Sequence, residues 1–176
     1  LGNYAANCDQ AGQPIGLNLY DYGCIRIFPA SFVNGVVDLY HGLQSEYDDQ
    51  IVAAYETWGF KDLSRDVIEI LNVWARFIYG PLLSDKVLSI QGEGGSPASY
   101  GRSQAIKIHA ALKEKGPLLV PREFVFMDRA ALGLGGVFTH LRARLNFYKL
   151  FNEAIEGYDD EVVFKRQAEL LKKLVL

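Results

Sequence analysis

Apolar residues recur at intervals of three and four along most of this 176-residue chain, which is the spacing of one face of an α-helix. The longest run, starting near Pro121, comprises Phe124, Met127, Ala131, Leu134, Phe138 and Leu141. Other runs begin near Ser31, Asp48, Ser64 (or Asp62), Ser103, Arg142 and Asp160. Only one stretch has the two-residue period of a strand, so the sequence predicts a mainly α fold with six or seven helices.

The first three helices have the clearest ends and faces. Ser31 is a suitable N-cap for the first helix, and Gly59 is placed to end the second. In the third helix we expect one buried face, widened by two further apolar side chains, that consists of Val67, Leu71, Trp74, Ile78, Ile70 and Phe77. Gly80-Pro81 then stops this helix. Such a wide apolar face predicts burial on more than one side.

The strand-like stretch runs from Ile15 to Leu19, where apolar side chains occupy alternate positions. It follows a cluster of turn formers, residues 9–14, in which Gly12 can adopt a positive φ. Residues 4–8 would form the partner strand. The sequence therefore predicts one half-buried β-hairpin at the N-terminal end, and a hairpin brings its two ends together.

An Asn and an Asp stand at those two ends, in Gly2-Asn3-Tyr4 and in Asp21-Tyr22-Gly23. Kinase-type phosphoryl-transfer enzymes hold Mg²⁺ with an Asn and with the Asp of an Asp-Phe-Gly triplet. A carboxylate and an amide oxygen suit this ion, which keeps several waters and shares its shell with phosphates. From the residues alone two interpretations stay open, because an Asp that precedes a Gly is often only a turn residue.

Two blocks of the sequence resemble the UbiB-type (aarF-domain) atypical kinases, the family associated with ubiquinone biosynthesis. That family typically reads Asp-Pro-x-Pro-Gly-Asn-Tyr, then a short hairpin, then Leu-Asp-Phe-Gly-Cys-Val-Arg. The first matching block consists of Gly2-Asn3-Tyr4 and Leu19–Pro29. The second block is similar to the family's late helical region and consists of Pro121–Gly136, Val137-Phe138 and Leu141-Arg142-Ala143.

The resemblance implies a protein-kinase-like C-terminal lobe that binds Mg²⁺ and ATP and supports isoprenoid-quinone synthesis. It implies that Asn3 and Asp21 hold the metal, and that Asp21, Tyr22 and Gly23 form the nucleotide site. It also implies lipid or membrane contact by the parent protein and a membrane-associated intracellular location.

The chain departs from the family pattern at its start, where Leu1 replaces the usual Pro. The nucleotide-covering loop, the ATP-contacting Lys and the catalytic acid would lie upstream. We therefore expect residues 1–176 to form a single C-terminal-lobe domain with no catalytic residue of its own. The alternative is a non-catalytic, pseudokinase-like helical binding module.

Composition excludes some classes of partner. A net charge of −3 argues against a nucleic-acid surface, and no apolar run is long enough to span a bilayer. Cys8 and Cys24 have no metal-type spacing. A placement opposite each other across the hairpin stays open, but buried free thiols in a reducing compartment are favoured. The last helix carries a basic face (Lys165, Arg166, Lys172 and Lys173), for which solvation is favoured over an anionic membrane.

Two glycine-rich segments invite a phosphate-loop interpretation. Residues 92–102 lack the Lys of such a loop, so a flexible surface loop is expected. Gly133, Gly135 and Gly136 interrupt the long helical run without breaking its phase. They predict a close helix crossing.

Overall fold

The computed structural model describes residues 2–23, 26–89 and 121–174. Within them the chain forms six α-helices and two small antiparallel sheets of two strands each. The mainly helical architecture with an N-terminal hairpin is confirmed. The predicted loop 92–102 and the helix expected from Ser103 lie outside the described residues.

The elements follow one another along the chain as β1 (Tyr4–Cys8), β2 (Pro14–Leu19), α1 (Ala30–Ser45), α2 (Asp48–Thr57), α3 (Arg65–Tyr79), a 3₁₀ turn (Gly80–Leu82), β3 (Leu88–Ser89), α4 (Arg122–His140), β4 (Arg144–Leu145), α5 (Phe147–Ile155) and α6 (Asp160–Leu174). Strands β1 and β2 form the predicted hairpin. The short β3–β4 pair was not predicted, because two-residue strands carry no readable period.

Local signals account for most of the helix ends. The Ser64 Oγ accepts a hydrogen bond from the Val67 N–H and caps α3, so of the two starts left open, Asp62 and Ser64, the structure has Ser64. The Ser31 cap is wrong, because Pro29 occupies the N-cap position of α1 with ψ near 143° and Ser31 falls inside the helix. Gly59 follows α2 with a φ of 89°, a conformation that favours glycine.

Helices α1 and α2 approach closely at two glycines of α1. A Cβ on Gly35 would lie 2.5 Å from Nε1 of Trp58, and one on Gly42 would lie 2.9 Å from the Ile51 side chain. The Trp58 Nε1–H donates to the Phe32 carbonyl of α1 at 3.0 Å. The indole therefore takes the space of a missing side chain and bonds to the helix backbone beside it.

Helix α4 enters this core through Phe124, which is 5% exposed. Its ring makes edge contacts with Phe32, Trp58 and Trp74, at centroid distances of 5.1, 4.8 and 5.6 Å. Such aromatic pairs add specific geometry to the burial of apolar area. The start of α4 is thereby fixed on the body formed by α1, α2 and α3.

The face of α3 is only partly the one expected. Val67 and Leu71 are buried, but the stripe continues through Ala75 and Tyr79. Ile78 is 41% exposed, so its placement on the buried face is wrong. The Tyr79 hydroxyl donates to the Val36 carbonyl of α1. Because this bond satisfies the polar end of the side chain, the whole tyrosine can be buried in the core.

The predicted stripe of α4 is buried at its beginning and open further along. Leu134 is 53% exposed and Leu141 is 67% exposed. No atom of the described residues lies within 4 Å of a Cβ built on Gly133, Gly135 or Gly136. The close helix crossing expected at these glycines is therefore not seen in the part of the chain that the structure describes.

Helix α6 packs on the start of α1 through polar contacts with backbone. The Gln167 Nε2 donates to the Phe28 carbonyl at 2.8 Å, and the Tyr158 hydroxyl donates to the Ala30 carbonyl at 3.3 Å. Across residues 2–23, 26–89 and 121–174, none of the helices combines the length and the apolarity needed to cross a membrane.

A matched pair of glycine substitutions tests the α1–α2 contact. Gly133→Ala should raise the free energy of unfolding by about 1 kcal/mol, because alanine is the better helix former. Gly35→Ala offers the same gain but forces a methyl group into Trp58, so we expect a net loss of about 1–3 kcal/mol. Denaturant unfolding of both variants measures this, and equal effects at the two positions would contradict the packing described.

Candidate functional site

The register of the hairpin sets the positions of the candidate metal ligands. Tyr4 pairs with Leu19, and beyond this pair the Tyr20 N–H donates to the Asn3 carbonyl at 2.7 Å. Asn3 and Asp21 therefore leave the hairpin at the same open end, one from each strand. This is the juxtaposition that the turn position predicted.

The opposite end of the hairpin is closed by Asp9. Its Oδ1 accepts hydrogen bonds from the N–H groups of Ala11 and Gln13, at 2.9 and 2.8 Å. Gly12 adopts a φ of 77°. The turn predicted for residues 9–14 thus forms, and its carboxylate is occupied by backbone donors.

Asp21 forms a second turn of this kind at the open end. Its Oδ1 accepts a hydrogen bond from the Gly23 N–H at 2.7 Å. A Cβ on Gly23 would lie only 3.1 Å from that oxygen, so glycine allows the backbone to approach closely. An ionised carboxylate has about four lone-pair sites, which leaves capacity for a cation in addition to this bond.

The side chains of this end are open to solvent. Tyr22 is 61% exposed, and every residue of β2 is exposed, including Ile15 at 65% and Leu17 at 61%. The half-buried hairpin face expected from the alternating pattern is therefore wrong for the described structure, because none of the described helices covers it. Alternation identified the strand, but burial depends on a second layer.

The donor chemistry of Asn3 and Asp21 is compatible with Mg²⁺. Both are hard oxygen ligands, and this ion commonly takes one or two protein carboxylates with water and phosphate in the other positions. Among the described residues, no group of three or more His, Cys, Asp or Glu side chains is placed to hold a metal. The Asn3–Asp21 pair would supply a minority of the ligands, and Asp21 alone would supply charge.

Cys8 is exposed, so the expected burial of its thiol is wrong. It lies on β1, at the irregular end of the pairing where the register shifts between Asn7 and Cys8. Cys24 lies outside the described residues. The inference of a reducing compartment from buried thiols loses this support.

A concave surface away from the hairpin was missed by the sequence reasoning. An open groove of about 580 Å³ is lined from α1 and α5 by His41, Tyr148, Lys149, Asn152, Glu153, Ile155 and Glu156. Asn152 Nδ2 donates to the Tyr40 hydroxyl at 2.7 Å and joins the two helices beside the groove. No sequence signal marks this groove, because it depends on how two helices that are distant in the chain pack.

Asp38 lies one helical turn before His41, and the pKa of its carboxyl is raised. Burial raises the pKa of its carboxyl, and Asp160 at the start of α6 adds repulsion, while His41 and the Asn34 amide act in the opposite direction. The Asn34 Nδ2 donates to Asp38 at 2.9 Å. The ionised carboxylate is thus held at some cost between α1 and α6.

No protein-family model, curated protein or solved structure matches this chain.

Asp38 predicts a measurable pH dependence of stability. The folded-state pKa of its carboxyl is raised above the ordinary value of an aspartate, chiefly by burial. The folded state therefore binds more protons in that window, and stability should fall as pH rises through the folded pKa. Asp38→Asn removes this titration. At pH 7 the melting temperature of the variant should therefore be higher than that of the unsubstituted chain, and near pH 4 the difference should disappear. A gain that does not depend on pH would contradict the assignment.

Proposed function

We propose that this chain forms the C-terminal lobe of an atypical kinase-like ATPase or kinase that binds Mg-ATP and supports isoprenoid-quinone (ubiquinone) biosynthesis. The observation that carries the proposal is the hydrogen bond between the Tyr20 N–H and the Asn3 carbonyl, which brings Asn3 and Asp21 to one end of the hairpin. The chemistry follows from the resemblance of the motifs at the two ends of the hairpin, Gly2-Asn3-Tyr4 and Asp21-Tyr22-Gly23, to those of UbiB-type kinases.

Each residue of the open end has a role in this proposal. Asp21 contributes the charge and Asn3 a neutral carbonyl oxygen to a Mg²⁺ ion that neutralises the ATP phosphates. Gly23 permits the turn that aims the Asp21 carboxylate. Tyr22 lies beside them and is exposed, so its ring is available to a bound nucleotide.

The partners beyond nucleotide follow from the resemblance alone. We propose an intracellular, membrane-associated protein whose lipid contact is made by the parent protein. The basic side chains of α6 are exposed, but Lys165 forms an ion pair with Glu161 at 3.4 Å on the same helix. That pairing supports an ordinary solvated face for this helix rather than a lipid-binding one.

A non-catalytic binding module is the second candidate. The observation that favours it is the apolar face of the hairpin, which none of the described helices covers and where Ile15, Leu17 and Leu19 are each at least half exposed. Exposed apolar patches of this kind mark interaction surfaces in many proteins. A degenerate kinase relative could keep this face for binding after losing phosphoryl transfer.

A pair of isosteric substitutions in the full-length protein tests the metal site. Asp21→Asn removes the only protein charge proposed for the ion with little change in shape, so Mg-ATP should no longer raise the melting temperature. Asp9→Asn is the matched control, because Asp9 makes the same kind of turn at the other end of the hairpin. It should keep the full Mg-ATP shift.

Thermal melts of both variants, with and without Mg-ATP, measure the difference. The melting temperature without nucleotide should stay close to that of the unsubstituted protein, because both turns survive an Asp-to-Asn change. If Asp21→Asn keeps the parent's full Mg-ATP shift, Asp21 is only a turn residue and the kinase-like assignment loses its support.

The 176-residue chain by itself should show no measurable ATP hydrolysis. Catalysis of phosphoryl transfer comes mostly from positioning and electrostatic groups, and only the two proposed metal ligands are present here. A phosphate-release assay on the purified chain tests this, with Asp21→Asn as the control for contaminating activity. Turnover that scales with chain concentration and vanishes in that variant would contradict the expectation.

A further inference from the structure

The hairpin that carries Asn3 and Asp21 is weakly attached to the rest of the described structure. We find no hydrogen bond or ion pair between residues 2–23 and the described helices. All of β2 is exposed, and so is most of β1. Among the described residues, the hairpin is therefore connected to the helices mainly through the chain that leaves it.

Arg26 is the first described residue after the hairpin that contacts a helix. Its guanidinium carbon lies 4.9 Å from the centroid of the Phe126 ring, and its Nη2 lies 3.9 Å from Oε1 of Glu123. The first distance is within the range of a cation–π contact. Glu123 and Phe126 are three residues apart, so they lie on neighbouring positions of one helical face.

The surface that Arg26 contacts adjoins the buried core. Phe124, between its two partners, is buried in the ring cluster of Phe32, Trp58 and Trp74. The Glu123 side chain is only 20% exposed. A contact made here therefore connects the exit of the hairpin to the part of α4 that packs on the core.

We propose that Arg26 is a positioning residue for the Asp21 carboxylate. Through Glu123 and Phe126 it fixes the chain five residues beyond Asp21, and a fully extended chain of that length spans at most about 18 Å. Phe28 stacks on Phe32 at a centroid distance of 5.5 Å and secures the base of the same segment. This inference rests on the proposed Mg-ATP site.

Substitutions at both partners test the contact in the full-length protein. Arg26→Gln and Glu123→Gln should each weaken Mg-ATP binding by roughly tenfold, the loss expected when only about one molecule in ten keeps the binding-competent hairpin. Arg26→Lys keeps the charge and should recover part of the affinity. The matched control is Arg65→Gln, which breaks the exposed Arg65–Glu69 ion pair on α3 at 3.3 Å and should leave affinity unchanged.

Hydrogen exchange without nucleotide gives a second readout that does not depend on the proposed function. In Arg26→Gln the amides of residues 19–23 should exchange severalfold faster, while those of α1 and α2 stay unchanged. The melting temperature should stay within a few degrees of that of the unsubstituted protein, because a partly exposed ion pair at 3.9 Å adds little stability. The charge-reversed double variant, Arg26→Glu with Glu123→Arg, should restore slow exchange and part of the affinity.

The outcomes separate the two proposals. If Arg26→Gln changes neither exchange nor affinity while Asp21→Asn abolishes the Mg-ATP shift, Arg26 has no positioning role and the metal site stands. If Asp21→Asn has no effect, the proposed function is wrong, and unchanged exchange in Arg26→Gln would then also overturn the Arg26 contact. Faster exchange in residues 19–23 with weaker binding supports both.

Discussion

The contact of Trp58 with α1 is the interaction on which most of the described fold depends. Its N–H donates to the Phe32 carbonyl, and its ring occupies the position of a side chain that Gly35 lacks. The same ring is one wall of the cluster that receives Phe124. Because Phe124 fixes the start of α4 and α4 carries the partners of Arg26, one indole links the helical core to the exit of the hairpin.

Around this contact, tyrosine hydroxyls determine how the helices are aligned. Tyr79 donates to the Val36 carbonyl and Tyr55 donates to Asn72 at 2.8 Å, so α3 is tied to both α1 and α2. Burial raises the pKa of both phenols, which keeps them neutral donors. Within the described residues no buried side-chain nitrogen or oxygen lacks a partner. A shift of α3 by one turn would break these bonds, so they specify a single packing.

The features that could be predicted from the sequence are those that depend on residues close together in the chain. The hairpin and the start of α3 near Ser64 follow from neighbours within a few residues, and the structure confirms both. The face of α3 does not follow, because Tyr79 is buried through a hydroxyl whose acceptor lies 43 residues away. For the candidate site, spacing and turn residues predicted that Asn3 and Asp21 share one end. They could not predict Arg26, since its partners belong to a helix about 100 residues further along the chain.

The open end of the hairpin carries the candidate metal ligands Asn3 and Asp21, but its side chains pack little against the described helices. A two-stranded hairpin is at best marginally stable in water without a layer against its apolar face, and here that face is exposed. Order at Asn3 and Asp21 then comes from the ladder, the two Asp turns and the Arg26 contact. A cation bound by both strands would bind the paired hairpin and not the opened one, so it would stabilise the ladder by mass action. Ligand affinity and hairpin stability would therefore be linked: any substitution that loosens the exit at Arg26 would lower the population of the binding-competent hairpin, and apparent affinity would fall in the same proportion.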